Sequence, residues 1–180
     1  MNINTEIIEA CKKNERSAQK FVYEKFFSRF YAVCVRYIKD REEALEVLND
    51  GFINMFKNIE QYKCDGSFEG WARRIIVNKA IDYIRSNKKY KEVFKYIDDY
   101  KDVPVKIEIE EDMFDINELY DMVHNLPNIY RMVFNLYAID GFSHKEIAER
   151  IGVSEGTSRW YLSESRKMLK EKLTLVSIMI

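Results

Sequence analysis

Proline and glycine are scarce in this chain of 180 residues, two and six respectively, and no stretch of any length alternates apolar with polar residues. Few breaks are therefore built into helices, and the signature of half-buried strands is missing, so an almost wholly helical protein is expected. Cysteine and histidine are also rare. Cys11, Cys34 and Cys64 are odd in number, far apart and not grouped with His124 or His144, which argues against a disulfide framework and a zinc site. No nucleophile stands beside a base, no glycine-rich phosphate loop occurs and no metal ligands cluster, so no catalytic centre and no cofactor are expected. The beginning of the chain lacks a basic segment followed by an apolar one, and no apolar run approaches the roughly 20 residues that span a bilayer. A reduced, cytoplasmic setting without membrane insertion follows as the expectation. The last eight residues, LTLVSIMI, are apolar but too few to span; they read as an extension of the last helix or a docking tail.

What the chain does have is segregated charge. The net charge is −1, yet residues 1 to 97 carry 19 Lys/Arg against 14 Asp/Glu, residues 98 to 121 carry 2 against 10, and residues 122 to 180 carry 8 against 6. Two basic blocks flank an acidic strip, a distribution compatible with nucleic-acid binding despite the near-neutral total.

The sharpest local signal is GFSHKEIAERIGVSEGTSRWYLSESRKMLK, residues 141 to 170. Ser143 and Glu146 form a capping box, Ile147, Ala148 and Ile151 supply an apolar stripe, and Gly152 falls where a helix-ending positive φ is wanted. Ser154 can cap a second helix. Counting 100° per residue from Ser158 puts Leu162, Ser165 and Leu169 on its buried face, leaving Gly156, Trp160, Ser163 and Lys167 opposite, flanked by Arg159 and Glu164. A helix-turn-helix with such a face reads base edges in the major groove, and a plain helical hairpin is its bland counterpart. His144, in the first turn, reads as solvated.

The N-terminal block reads as a helical domain of its own. Ala18, Val22, Phe26, Phe30, Val33 and Tyr37 mark one helix between Ser17 and Lys39, with a neighbouring stripe of Phe27, Tyr31, Cys34 and Ile38. A second helix over 41 to 60 turns Ala44, Leu48, Phe52, Met55 and Ile59 inward and a largely acidic face outward. Residues 61 to 70 have the composition of a loop, and a third helix runs from about Ser67 or Phe68 to Lys89, with Arg74, Asn78, Asp82, Arg85 and Lys89 along one side. Eight basic residues between Arg73 and Lys95 face only Asp82 and Glu92, a ridge suited to a phosphate backbone. Tyr62, Phe68 and Trp71 stand at its start, where they can stack on or wedge beside unpaired bases, with Phe68 and Trp71 alternatively simple core. Residues 98 to 115, with Pro104 and little periodicity, read as a flexible or extended linker that the acidic residues solvate. The second domain opens with a helix near Ile116 to Asn125; Pro127 suits the first position of the next, which reaches about Ile139.

Three stretches, REEALEVLNDGFINMFKNI, SFEGWARRIIVNKAIDYIR and LPNIYRMVFNLYAIDGFSHKEIAERIGVSEGT, together resemble the signature blocks of bacterial sigma-70 family sigma factors of the extracytoplasmic-function (ECF) group. The resemblance covers nearly the whole chain, in order and at family-like separations. It implies an all-α protein of two small helical domains joined by a flexible acidic linker: a region 2-like domain over 1–95, a linker over 96–115 and a region 4-like domain over 116–180. It further implies a non-enzymatic specificity subunit that binds core RNA polymerase, through the β′ clamp and the β flap, and promoter DNA. Free proteins of this kind are typically held by an anti-sigma factor.

Laid on this sequence, the family's polymerase-binding positions fall on Glu46, Asn49, Asp50 and Phe56. Its −10 positions fall on Tyr62, Phe68, Trp71, Arg74, Asn78 and Arg85, and its −35 positions on Arg159, Trp160, Ser163 and Glu164, with Lys167 on the same face. Departures accompany the match. Glu164 stands where many relatives are basic, Ser158 where a buried Val is frequent, and Asn49, Asp50 and Phe56 look like milder variants of Gln, Glu and Trp. Two other readings use the same residues: a helix-turn-helix regulator acting without polymerase, and a helical nucleic-acid enzyme using Glu46 and Asp50 with a metal.

Overall fold

Helices form where apolar spacing and capping residues place them. A computed structural model describes residues 3–87 and 116–178 of the chain; the linker over 96–115, the basic residues from Lys88 to Lys95 and the side chains of the apolar tail from Thr174 onward lie outside that description. The described residues contain helices and no strand, and the chain divides into two compact units, Met1–Ile84 and Arg85–Ile180.

In the first unit, α1 (Thr5–Lys12) opens on Asn4, whose side-chain oxygen accepts from the Ile7 amide at 3.1 Å. The apolar pattern gives no warning of α1, because a helix this short contributes only Ile8 and Cys11 to the core. Helix α2 (Arg16–Tyr37) buries Ala18, Val22, Phe26, Phe30, Val33 and Tyr37, the full expected stripe, together with Cys34. Helix α3 (Arg41–Lys57) begins at Asp40, whose carboxylate accepts from the Glu42 and Glu43 amides at 2.9 and 3.1 Å. It ends three residues before the expected 60, and a 3₁₀ turn (Ile59–Gln61) carries Ile59 into the core instead. Helix α4 (Phe68–Ser86) buries Phe68, Ala72, Ile76, Val77, Ala80, Ile81 and Ile84.

Gly51 lies inside α3 for a packing reason. A Cβ there would stand 2.5 Å from Ile76 Cδ1, so the missing side chain lets α3 and α4 approach closely.

The second unit contains α5 (Ile116–His124), α6 (Asn128–Phe134), a π turn continuing α6 over Asn135–Ile139, α7 (His144–Ile151) and α8 (Glu155–Ile178). Pro127 is the N-cap of α6 rather than its first helical residue. Val123, Leu126 and Leu169 form a buried cluster, packed by Met122, Tyr130, Phe134 and Met168.

Arg131 of α6 is also buried, at 1% exposure. Its guanidinium donates to the His124 carbonyl at 2.9 Å and to Asn128 Oδ1 at 3.1 Å. A buried cation is tolerated when such acceptors replace its water, and here they flank the turn between α5 and α6, on the last residue of one and the first of the other.

Candidate nucleic-acid interface

The helix-turn-helix is built from its caps inward. Ser143 Oγ accepts from the Glu146 amide at 3.2 Å, and the Glu146 carboxylate accepts from the Ser143 amide at 2.9 Å, completing the expected capping box. Gly152 closes α7 at φ 75°, in the left-handed region that favours glycine. Ser154 Oγ then accepts from the Thr157 amide at 2.9 Å to start α8. These devices fix the turn, and through it the direction in which α8 is presented.

Helix α8 buries Ser158, Tyr161, Leu162, Ser165 and Leu169, so the expected inward face is present, with Tyr161 added to it. Burial pushes the Tyr161 hydroxyl up to about 12, with neighbouring Tyr130 adding to the shift. Arg159 and Lys167 are exposed, while Ser163 and Glu164 are partly so. Arg159 donates to Glu155 Oε2 at 2.9 Å, one turn earlier. Trp160 departs from the wholly outward position assigned by counting. It is half-buried, with its ring centroid 6.0 Å from Tyr130 and 5.1 Å from Tyr161, because an indole is large enough to reach the aromatic side of α6.

His144 is likewise not the solvated first-turn residue expected. Its Nδ1 lies 3.0 Å from Ser158 Oγ, and its ring stacks on Tyr137 with centroids 4.5 Å apart. The pair explains the unusual Ser158: a buried hydroxyl is tolerated where a partner meets it. Burial, then Arg159 and Arg166, hold His144 below its ordinary value, against a smaller opposing pull from Glu155. As pH falls below about 6.5, the unfolded chain takes up a proton that the folded site resists, so stability declines through that window and is retained in full above it. Thermal melts at pH 7.5 and 5.5 are expected to show a smaller acid-induced drop in His144→Gln than in the wild-type chain. Equal drops would mean that His144 carries none of this dependence.

In the first unit, Glu46, Asn49 and Asp50 are exposed on α3, and Phe56 is half-buried against Phe52, with centroids 6.3 Å apart. Asn49 Oδ1 also accepts from the Tyr23 hydroxyl at 3.1 Å, which restrains its amide. Sequence reasoning missed two residues beside them. Leu45 and Ile53 are 39% and 52% exposed, and with Asn49 they form a row at four-residue spacing outside the core stripe. That spacing was a readable signal, and it makes the face apolar and acidic rather than simply acidic.

Along α4, Arg74, Asp82 and Arg85 are exposed, with Asn78 partly covered, on the expected edge; Lys89 lies outside the described residues. The aromatic residues at the start of α4 do not form an open platform. Tyr62 and Phe68 are only 6% and 4% exposed, meeting edge-on with centroids 5.3 Å apart. Phe68 also packs 6.0 Å from Phe26. Burial of apolar ring area outweighs what either would gain by waiting in water for a base, so core is the correct description of both in this structure. Trp71 is half-buried, its ring centred 5.3 Å from Tyr62 and 5.6 Å from Phe68.

Burial raises the Cys34 and Cys11 thiols to about 12 and 11, with Glu15 contributing at Cys11. Both are thereby kept as unreactive packing groups. Among the described residues no group of three or more His, Cys, Asp or Glu could hold a metal ion, and no helix is long and apolar enough to cross a membrane.

Comparison with known proteins adds a consistent set of likenesses. Residues 22–90 match the sigma-70 region 2 family and residues 116–169 match sigma-70 region 4; together the two segments take in more than half of the chain. The chain is similar to the ECF RNA polymerase sigma-E factor of Haemophilus influenzae, at 22% identity over 93% of each chain. It is also similar to the ECF RNA polymerase sigma factor SigW of Bacillus subtilis, at 25% identity over 92% of this chain and 94% of that one. Among solved structures, the sigma factor RpoE of Bartonella quintana, seen with the anti-sigma factor NepR, has a TM-score of 0.52 at 17% identity, covering 86% of this chain and 96% of that one. CnrH, seen with the cytosolic domain of CnrY, has a TM-score of 0.51 at 16% identity, covering 94% and 96%.

Proposed function

Because the chain belongs to the sigma-70 family of sigma factors, in its ECF group, we propose a division of labour among the surfaces just described. The chain is an ECF-type sigma factor that binds core RNA polymerase and directs promoter-specific initiation of transcription. The observation that carries this over a polymerase-independent regulator is the presence of both sigma regions, in order, in one chain.

In the proposed division, residues 1–95 bind core and handle the −10 element, 96–115 link, and 116–180 handle the −35 element. On α3, Glu46, Asn49, Asp50 and Phe56 meet the β′ clamp, with Leu45 and Ile53 supplying apolar contact; an acidic rim steers association toward a basic surface. On α4, Arg74, Asn78 and Arg85 hold the phosphate backbone, and the open part of Trp71 meets an unstacked base. Tyr62 and Phe68 support Trp71 from below. On α8, Arg159, Ser163, Glu164 and Lys167 face the major groove and Trp160 braces them. The second unit also engages the β flap. The protein acts without catalysis of its own and works in the cytoplasm. An anti-sigma partner covers the polymerase-binding surfaces when the protein is idle; support comes from the structural neighbour RpoE, which is seen in complex with the anti-sigma factor NepR.

The test is transcription reconstituted with core enzyme and the full chain. Asp50→Lys is expected to weaken association with core. Arg159→Ala is expected to cost about 1–3 kcal/mol of discrimination at one −35 base pair, read as loss of preference for the cognate promoter over a variant at that position. A wild-type chain that confers no promoter-dependent initiation on core, yet protects duplex DNA alone, would overturn the reading in favour of an independent regulator.

A further inference from the structure

The turn between α7 and α8 holds the second helix at one point, and a cluster of side chains holds it at another. His144 lies in the first turn of α7 and Ser158 in the first turn of α8. The imidazole Nδ1 stands 3.0 Å from Ser158 Oγ, and Ser158 is wholly buried. The same imidazole stacks on Tyr137 of the π turn, with centroids 4.5 Å and planes 21° apart. The Arg166 guanidinium of α8 stands 5.9 Å from the centroid of that tyrosine ring. One attachment leaves a helix free to swing about it, whereas two fix its direction.

The second attachment is sensitive to a proton. A neutral imidazole either accepts the Ser158 hydroxyl hydrogen or donates to its oxygen, whereas the protonated ring only donates. The hydroxyl hydrogen must then turn to another acceptor in an interior closed to water, which is costly. The surrounding charges add to that cost. From α8, Arg159 and Arg166 oppose a charge on His144; Glu155 favours it more weakly and is itself bound by Arg159 at 2.9 Å. From the π turn comes the Tyr137 ring, and on α7 the Glu146 carboxylate is taken by the capping box. We propose that His144 is a positioning residue for −35 recognition: its contact with Ser158 locks the direction of α8, and protonation of the imidazole opens the lock, so that acid weakens −35 selection. The inference rests on the sigma-factor reading above and adds a form of regulation to it. The device belongs to this pair of residues, since an apolar side chain at 158 would leave the imidazole nothing to hold.

The experiment uses holoenzyme assembled from core polymerase and the full chain, and measures binding to duplex promoters that differ at single −35 positions, at pH 7.5 and 5.5. The wild-type ratio of cognate to variant binding is expected to fall about fivefold at the lower pH, the scale on which one buried hydroxyl loses its partner, while preference among −10 variants stays unchanged. His144→Gln supplies an amide that does not titrate and is expected to hold one ratio at both pH values. His144→Phe keeps a ring for Tyr137 and strands the Ser158 hydroxyl. It is expected to show the lowered ratio already at pH 7.5, and adding Ser158→Ala is expected to restore it. Circular dichroism at the assay temperature keeps folding separate: a ratio that falls only as helix content falls gives His144 a purely structural part and overturns the proposal. So does a wild-type ratio that is flat with pH, a His144→Gln ratio that falls as the wild type's does, or a His144→Phe ratio equal to wild type at pH 7.5. A holoenzyme with no −35 preference at pH 7.5 removes the −35 reading itself, a result distinct from a preference that acid leaves untouched.

Discussion

Phe26→Ala is expected to remove most of the stability of the first unit. Phe26 is 1% exposed, stacks on Phe30 with centroids 5.2 Å apart and touches Phe68 at 6.0 Å. Truncating a buried phenylalanine costs about 3–5 kcal/mol, the lost transfer energy plus the cavity left behind. A domain of this size has about 4–13 kcal/mol in total at typical values per residue. The change therefore consumes a large share of the margin, and a melting temperature lower by about 15–30 °C is the expected reading. The damage is directional as well. Phe68 leans on Phe26 from one side and on Tyr62 and Trp71 from the other, so the cavity opens beneath the proposed −10 surface. Phe26→Leu, which refills most of the volume, is expected to recover more than half of the loss. Thermal unfolding followed by circular dichroism checks both variants, and a drop of less than about 1 kcal/mol for alanine would show that the site collapses around the gap.

The expectations that succeeded rest on periodicity and caps, which are local properties of the chain. The α2 stripe from Ala18 to Tyr37, the α3 stripe from Ala44 to Met55, the capping box at Ser143 and the left-handed Gly152 each depend on residues within one helix or one turn. The departures depend on partners far along the chain. His144 meets Ser158 across a turn, 14 residues away, and no spacing rule links a first-turn histidine to a serine of the next helix. Trp160 is half-buried because Tyr130 of another helix stands beside it. Tyr62 is expected from sequence to stack on a base, and Phe68 either to do so or to be core, since aromatic composition is the same for both; only the packing of Phe68 on Phe26 and of Tyr62 on Phe68 separates the two. The candidate surfaces were legible to the extent that a helix face is legible. Which members of each face are committed inward was not.

The same distinction singles out Arg131, which any composition-based reading leaves on the surface. Arg131→Ala is expected to destabilise the second unit by about 3 kcal/mol, because hydrogen bonds to a charged donor are worth about 1.5–3 kcal/mol each and a buried acceptor left alone is penalised. The acceptors at risk are the His124 carbonyl and Asn128 Oδ1, on the two residues that flank the short turn between α5 and α6. In a unit of roughly this length that loss shifts the melting temperature by about 10–20 °C. Arg131→Met separates the causes. Methionine keeps much of the apolar stem and cannot donate, so a loss as large as that of alanine assigns the stability to the hydrogen bonds, whereas near-recovery assigns it to packing of the stem. The functional consequence is expected to follow the melt. Above the lowered transition Arg131→Ala loses −35 discrimination, and below it the helix-turn-helix, whose own caps at Ser143, Gly152 and Ser154 are untouched, reads the promoter as the wild-type chain does. A variant with unchanged melting but lost discrimination would instead place Arg131 in the recognition step, which its 1% exposure opposes.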